Sequence, residues 1–190
     1  LNKNINDDGI SKLTNLEILN LNIQITDNGI SDLINLEILN LNRNEKITNE
    51  GIKILTNLKI LYLDSNCNIT YNGISRLFYL KSLSLGHGSK IKDHDITKLT
   101  NLTCLSVNSK ISDDGISLLT NLISLHLNYS SRNISNDGLI TLTNLTELSL
   151  NRNRHIDNIS FLTNLTILDL SFNNNMIDIS NLNNLTFLDL

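Results

Sequence analysis

Several residue types are missing from this sequence or nearly so. There is no proline, no tryptophan and no alanine, and only one valine, whereas asparagine and isoleucine are abundant. We interpret this bias as that of a very AT-rich genome, such as that of a large DNA virus or an intracellular parasite. The composition therefore reports on the genome, and evidence on function has to come from the sequence pattern.

Clustered basic residues and long apolar runs are also absent. The net charge is −4 with a pI near 5.5, and Lys110, Arg132, Arg152 and Arg154 are scattered. A nucleic-acid-binding surface usually needs clustered Lys and Arg. A membrane-spanning helix needs roughly 18 or more consecutive apolar residues. We therefore expect neither a nucleic-acid partner nor a membrane partner.

Residues and motifs for metal binding and catalysis are scarce. The only cysteines, Cys67 and Cys104, lie too far apart in a repeat array to form a disulfide, so they read as free thiols of a reducing compartment. The four histidines lack ligand spacing, and there is no phosphate loop or nucleophile elbow. We predict no enzyme, no metal and no cofactor, and a cytoplasmic location, including a host cytoplasm, in preference to secretion.

The sequence does contain one phrase, Asn-Leu-x-x-Leu-x-Leu, repeated from end to end in steps of 20–23 residues. A repeat this short cannot bury an apolar face alone and must stack on its neighbours. We predict one domain over residues 1–190, made of about nine such repeats. Solenoids need polar capping repeats, and none is visible, so we expect the chain to be the ordered part of a longer protein. The last apolar position of the phrase is occupied by Leu1, Leu21, Leu41, Leu63, Leu85, Val107, Leu127, Leu150, Leu170 and Leu190.

Each repeat has two halves. The alternation in 36–41 predicts a short strand with one buried face. Asp27 then fits a helix N-cap, and Ile30, Leu33 and Ile34 predict an apolar stripe of about two helical turns. Near the C-terminus the second half is shorter, which favours 3₁₀-like turns there.

Two positions recur within the repeat. Asparagine recurs three residues after the last leucine, where an inward side chain could bond the backbone of adjacent coils, and Gly88 and Lys110 predict an irregularity. Glycine recurs at the start of the second half, which indicates a close approach more than positive φ, because Asp95 replaces it once. The predicted structural ladder consists of Asn44, Asn66, Asn153 and Asn173. The recurring glycines are Gly9, Gly29, Gly51, Gly73, Gly115 and Gly138.

These phrases resemble leucine-rich repeats, with their L-x-x-L-x-L-x-x-N pattern and 20–29-residue period. Repeats with Ile-Thr-Asp-x-Gly-Ile resemble the cysteine-containing subclass found in F-box substrate receptors and many bacterial repeat proteins. The last two resemble the internalin and phosphatase-regulatory subclass. The resemblance implies an α/β, right-handed solenoid or horseshoe, with a parallel β-sheet on the concave face and short α or 3₁₀ helices on the convex face. It also implies binding on the concave face.

Candidate binding residues follow from the outward positions of the strands. Strands about 4.8 Å apart give a concave strip of roughly 43 Å, long enough for a folded protein. Aromatic residues and arginine are enriched at interfaces, and we predict a patch running diagonally across the strands. Ile18, Ile38 and Ile60 also align outward, and we favour a role in sheet packing for them. The predicted partner-binding residues are Tyr62, Asp64, His87, His126, Tyr129, Arg152, Asp169 and Phe172.

The sequence therefore predicts a non-catalytic scaffold that binds a protein partner of unknown identity. One alternative is a substrate-receptor module of an F-box ubiquitin ligase, which an upstream F-box would favour. Another is an extracellular or virion-surface adhesion module, which a signal peptide or glycans on its eight Asn-x-Ser/Thr sequons would favour. A purely structural role is also open.

Overall fold

The computed structural model describes residues 5–21, 24–107, 110–127 and 133–190. The chain falls into two compact units, residues 1–91 and 92–190. Each unit is an α/β stack of coils in which short helices alternate with short strands, and each is described by itself.

In the first unit every helix is followed by a strand, and the strands form a parallel sheet in the order β1-β2-β3-β4. Equivalent residues of successive repeats pair directly, as Leu39 does with Leu61 and Leu61 with Leu83. The elements are α1 (Asp7–Ser11), β1 (Ile18–Asn20), α2 (Asp27–Ile30), β2 (Ile38–Asn40), α3 (Asn49–Ile52), β3 (Ile60–Leu63), α4 (Tyr71–Ile74) and β4 (Ser82–Leu85).

The second unit repeats this arrangement, with parallel strands in the order β5-β6-β7-β8-β9. Among its described residues, helices precede only the first three strands. The elements are α5 (Asp93–Ile96), β5 (Cys104–Val107), α6 (Asp113–Ile116), β6 (Ser124–Leu127), α7 (Asn136–Leu139), β7 (Glu147–Ser149), β8 (Ile167–Asp169) and β9 (Phe187–Asp189).

Leucines and isoleucines of the repeated phrase form the core of each unit. Leu39, Leu61 and Leu105 are fully buried in the middle of their strands, and the apolar residue that ends each helix from Ile30 to Leu139 is buried as well. Burying such a side chain contributes about 1.5–3 kcal/mol relative to leaving it in water. The stacking that the short repeat requires is therefore what builds the core.

The helices are shorter than the sequence predicts. Helix α2 ends at Ile30, after a single turn, and the chain continues in three-residue turns in which the Leu33 N–H donates to the Ile30 carbonyl at 3.0 Å. Leu33 is buried, but Ile34 is 55% exposed. The predicted two-turn stripe through Ile34 is therefore wrong, because the turn that follows Ile30 directs Ile34 outward.

The last two coils have no helix in their second half among the described residues. Asn158 and Asp178 form an isolated parallel bridge there, and the Leu162 N–H donates to the Ile159 carbonyl at 2.9 Å in a three-residue turn. The expected change to tight, non-α turns near the C-terminus is confirmed. The second half of these two coils is shorter than in the other coils and lacks the residues that a helical turn would need.

Buried asparagines bond one coil to the next in the first unit. The Asn44 amide nitrogen donates to the Ile25 carbonyl at 3.1 Å, and its Oδ1 accepts from the N–H groups of Lys46 and Ile47 at 2.9 and 2.8 Å. The Asn66 amide donates to the Asn44 carbonyl at 2.8 Å. Each side chain thus supplies partners for backbone groups that are shielded from water.

The second unit uses asparagine at the same place. Asn153 is buried, and its Oδ1 accepts from the N–H groups of His155 and Ile156 at 2.9 and 3.0 Å. Asn173 is half-buried and donates to the Leu150 carbonyl of the preceding coil at 3.2 Å. Asn153 therefore orders its own loop, and Asn173 connects two coils.

The loop after β4 contains the expected irregularity. Gly88 takes a left-handed φ of 81°, and the next residue, Ser89, is buried in place of an asparagine. The Ser89 Oγ accepts from the Ile91 N–H at 3.2 Å. A one-residue shift thus replaces the amide with a shorter hydroxyl. Lys110, the other departure, is exposed.

From Gly29 onwards, the recurring glycines lie under an acidic or amide side chain of the preceding helix. The Asp27 carboxylate accepts from the Thr48 N–H and Oγ, both at 2.7 Å, and a Cβ on Gly51 would lie 2.4 Å from Asp27 Oδ1. The expected close packing is confirmed, with a neighbouring helix as its source. Equivalent pairs are Asp7 with Gly29, Asn49 with Gly73, Asp93 with Gly115 and Asp113 with Gly138.

Candidate binding face

In each unit the strand side chains that point away from the leucine core form what we call the open sheet face. Along β3 and β5 these outward residues are half-buried, while the residues between them are buried. The open sheet face of the first unit consists of Ile18, Asn20, Ile38, Asn40, Ile60, Tyr62, Ser82 and Ser84. That of the second consists of Cys104, Ser106, Ser124, His126, Glu147, Ser149, Ile167, Asp169, Phe187 and Asp189.

Tyr62 occupies the open sheet face of the first unit, between polar neighbours. It is half-buried and pairs in register with Asn40 on β2 and Ser84 on β4. Ile18, Ile38 and Ile60 form the adjacent row, as the sequence predicts. An aromatic ring with a hydroxyl, surrounded by amides and short hydroxyls, suits contact with a protein surface.

Asp64 lies just beyond Tyr62, where β3 ends. Its N–H donates to Asn42 Oδ1 at 2.7 Å, and its side chain packs so closely against Gly86 that an added Cβ there would lie 1.7 Å from Asp64 Oδ1. His87 follows Gly86 and is exposed. The structure therefore places Tyr62 and Asp64 at one strand end, and His87 in the loop after the next strand.

His126 is the centre of a polar group in the second unit. Its Nε2 lies 3.0 Å from Ser124 Oγ and 3.7 Å from Glu147 Oε1. A nucleophilic triad needs the serine and the acid on different ring nitrogens, whereas both approach Nε2 here. Ser124 is also only 8% exposed. This group therefore orients His126 on the face and does not form an activated nucleophile.

Asp169 has its carboxylate held in place by two serines. Ser149 Oγ donates to Oδ2 at 2.7 Å, and the Ser171 N–H and Oγ donate to Oδ1 at 2.8 and 2.5 Å. Partial burial on its own would raise the pKa of Asp169. The hydrogen bonds from Ser171 and Ser149, with the charge of His126, outweigh burial and lower that pKa below its usual 3.8.

Arg152 and Phe172 form a stacked pair in the loops after β7 and β8. The Arg152 guanidinium carbon lies 4.9 Å from the centre of the Phe172 ring, a cation–π distance. Both residues take left-handed φ values, 56° and 55°, and Phe172 is 68% exposed. The Arg152 N–H donates to the Ser171 carbonyl at 3.1 Å, which connects the pair to the loop that binds Asp169.

Of the remaining predicted residues, Tyr129 lies outside the described part of the chain, and the diagonal patch stays a prediction. Ser149 and Ser171, which hold the Asp169 carboxylate, are not among the predicted residues, whereas Phe187 and Asp189 occupy outward strand positions that the sequence identifies. An alignment by repeat position would reveal Ser149, Asp169 and Asp189, which are equivalent residues of three successive strands.

The described residues contain no group of three or more His, Cys, Asp or Glu placed to hold a metal ion. Cys67 is exposed and Cys104 half-buried, and both are free thiols. Among the described helices, none has the length and apolar character needed to cross a bilayer.

Comparisons with known proteins agree with this fold. No family model and no curated protein matches the sequence. Among solved structures, the internalin InlF of Listeria monocytogenes is 34% identical with a TM-score of 0.74, and the match covers 95% of this chain and 55% of that one. Internalin C2 of the same species is 28% identical with a TM-score of 0.62, covering 86% of this chain and 74% of that one. The chain thus spans about half the length of the InlF structure.

A third similar structure is TLR13, solved as a complex with ssRNA13. It is 25% identical with a TM-score of 0.63, over 91% of this chain and 27% of that one. The recurring leucine positions, the strand register and these similarities together define the class of protein. The chain is a leucine-rich-repeat protein.

Proposed function

We propose that this protein is a non-catalytic recognition scaffold that binds a protein partner on its open sheet face. The observation that carries the proposal is the contrast between the two sides of the strands. Tyr62 and Phe187 are at least partly exposed, whereas Leu61 and Leu168 beside the outward positions are fully buried. The outward aromatic side chains contribute nothing to the core, and partner contact is the role they suit.

Rigidity of the face supports this proposal. Parallel strand pairing fixes the backbone, Asn44 and Asn66 connect the loops after β2 and β3 to the preceding coil, and Ser149 with Ser171 holds the Asp169 carboxylate. A surface that is already ordered loses little conformational entropy on binding, so more of the contact energy appears as affinity.

The TLR13–ssRNA13 complex makes RNA the competing class of partner for a leucine-rich repeat. The charge of this chain favours a protein partner over RNA. The net charge of the chain is −4, and the open sheet face of the second unit carries Glu147, Asp169 and Asp189. Phosphate groups would be repelled by these carboxylates, and RNA binding usually requires Lys and Arg in their place.

Site-specific photo-crosslinking tests the proposal with matched side chains. Benzoylphenylalanine is introduced at Tyr62 or at Phe172, and, as controls, at Tyr79 or Phe78, which are aromatic and more exposed than Tyr62 but precede strand β4. We expect crosslinks to the same protein from Tyr62 and Phe172 and none to it from the controls. Crosslinks that are equal at all four positions, or that join RNA, would contradict the proposal.

A further inference from the structure

The last two strands carry two exposed apolar side chains beside two carboxylates. Ile167 on β8 pairs in register with Phe187 on β9, and they are 38% and 54% exposed. In the neighbouring outward row, Asp169 pairs directly with Asp189. Together with Phe172, these side chains form what we call the C-terminal patch: Ile167, Asp169, Phe172, Phe187 and Asp189.

The register of Asp169 and Asp189 has an electrostatic cost. Side chains directly opposite on neighbouring strands have Cβ atoms about 5 Å apart, and like charges in that position repel. The ion pairs of the described residues involve Glu37, Glu50, Asp95 and Glu147, and neither Asp169 nor Asp189. Within the described part of the chain, His126 acts on Asp169 without forming an ion pair with it, so a cation from another molecule placed between the two carboxylates would relieve the repulsion.

Hydrogen bonds fix the position of the charged Asp169 carboxylate. Three donor groups from Ser149 and Ser171 hold its two oxygens. These donors favour the ionised form and leave the carboxylate fixed in place. An incoming cation would meet a positioned charge and would not have to order the side chain itself.

The apolar residues of the patch indicate which side chains should accompany that positive charge in the partner. Phe172 is 68% exposed with its ring under the Arg152 guanidinium, and Phe187 and Ile167 lie one outward row from the carboxylates. Exposed Phe and Ile side chains gain about 25 cal/mol per Å² when an apolar group covers them. A compact hydrated ion cannot provide this contact, but a basic side chain flanked by apolar side chains can.

We propose that the C-terminal patch binds a protein segment in which a lysine or arginine stands beside an aliphatic or aromatic residue. The basic group lies between the carboxylates of Asp169 and Asp189, and the apolar side chain covers Phe187 and Ile167. This inference rests on the proposed function and specifies the chemistry of the partner at the second unit.

The test uses the full chain and a phage-displayed library of random peptides as the probe. Peptides are selected on the native protein and then measured on a D169N/D189N variant and on a charge-matched D114N/D137N control, whose residues are exposed on α6 and α7. We expect enriched peptides to pair Lys or Arg with an apolar residue, and to bind D169N/D189N about tenfold more weakly. Binding to the control should be unchanged, and binding to the native chain should weaken as salt rises from about 50 to about 300 mM.

The outcomes separate this inference from the proposed function. Peptides that lack basic residues, or that bind D169N/D189N as well as the native chain, overturn the inference. If those peptides still lose binding to a Y62A or H126A variant, face recognition stands without the C-terminal patch. If no enriched peptide depends on any open-face residue, or none is enriched, both proposals fail.

Discussion

The carboxylate of Asp27 lies directly over Gly51, one helix further along the chain. A Cβ on Gly51 would come within 2.4 Å of Asp27 Oδ1 and 3.2 Å of the Asp27 Cα. The same carboxylate accepts two hydrogen bonds from Thr48, the residue that caps helix α3. Asp27 therefore joins two coils and excludes a side chain at position 51.

We expect Gly51→Ala to destabilise the protein. The overlap with Asp27 should cost about 1–3 kcal/mol, which outweighs the roughly 1 kcal/mol that alanine gains over glycine in a helix. Chemical denaturation measures the difference. Gly9→Ala is the matched control, because its nearest neighbour is 3.5 Å away, and it should be neutral or stabilising. Equal effects at both positions would contradict the account.

Asn66→Ala should cost about 2–4 kcal/mol in the free energy of unfolding. Its amide nitrogen donates to the Asn44 carbonyl at 2.8 Å, and its Oδ1 accepts from Asn68 and Ile69 at 3.0 and 3.2 Å. Truncation leaves these shielded backbone groups without partners. Asn28→Ala, at an exposed position of α2, should change stability by less than about 0.5 kcal/mol. A comparable loss in both variants would argue against a special role for Asn66.

The lowered pKa of Asp169 predicts a specific acid sensitivity. A carboxyl whose folded pKa lies below its unfolded value stabilises the fold above about pH 4, and this contribution is lost as the pH falls through the folded pKa. The native protein should therefore exceed Asp169→Asn in unfolding free energy at about pH 6, by about 1 kcal/mol. The difference should shrink towards about pH 3. A difference that is independent of pH, or one that Asp114→Asn reproduces, would refute this.

Replacing Phe172 should show that its ring is not needed for the stability of the fold. Its φ of 55° disfavours a bulky side chain and suits asparagine. Relief of about 1 kcal/mol offsets the loss of the contact with Arg152, worth about 0.5–1 kcal/mol at an exposed site. We expect Phe172→Asn to keep or slightly raise the melting temperature, and Phe187→Asn, on a strand, to lower it. A large fall for Phe172→Asn would show that Phe172 supports the fold.

The sequence predicts the sheet correctly because the repeat shows which distant positions of the chain are structurally equivalent. A leucine that recurs at the same place must lie in the same layer of successive coils, so Leu39, Leu61 and Leu83 pair in register. The buried asparagine follows from the same logic, since Asn44 and Asn66 close equivalent turns. Alignment of equivalent positions thus replaces the tertiary information that a single sequence usually lacks.

Other features depend on contacts that the repeat pattern does not encode. The alternation of Ile30, Leu33 and Ile34 fits a longer helix, but the chain leaves the helix at Ile30 to reach the next strand. The serine bonds to Asp169 depend on side-chain rotamers, so Ser149 and Ser171 could not be identified as its partners from spacing alone. What binds the face depends on such details, which vary from coil to coil.

The pairing of an acid on one helix with a glycine on the next also restricts how this gene can be rearranged. Whether two repeats pack together depends on the acid of the first helix and the residue that it meets on the second. A repeat that has both the acid and the glycine can therefore be copied next to any similar repeat. Helix α5 provides Asp93 over Gly115 but carries Asp95 where the others have glycine. Duplication of α5 in tandem would place the Asp93 carboxylate of one copy against the Asp95 carboxylate of the next. Selection should therefore remove such copies from the gene.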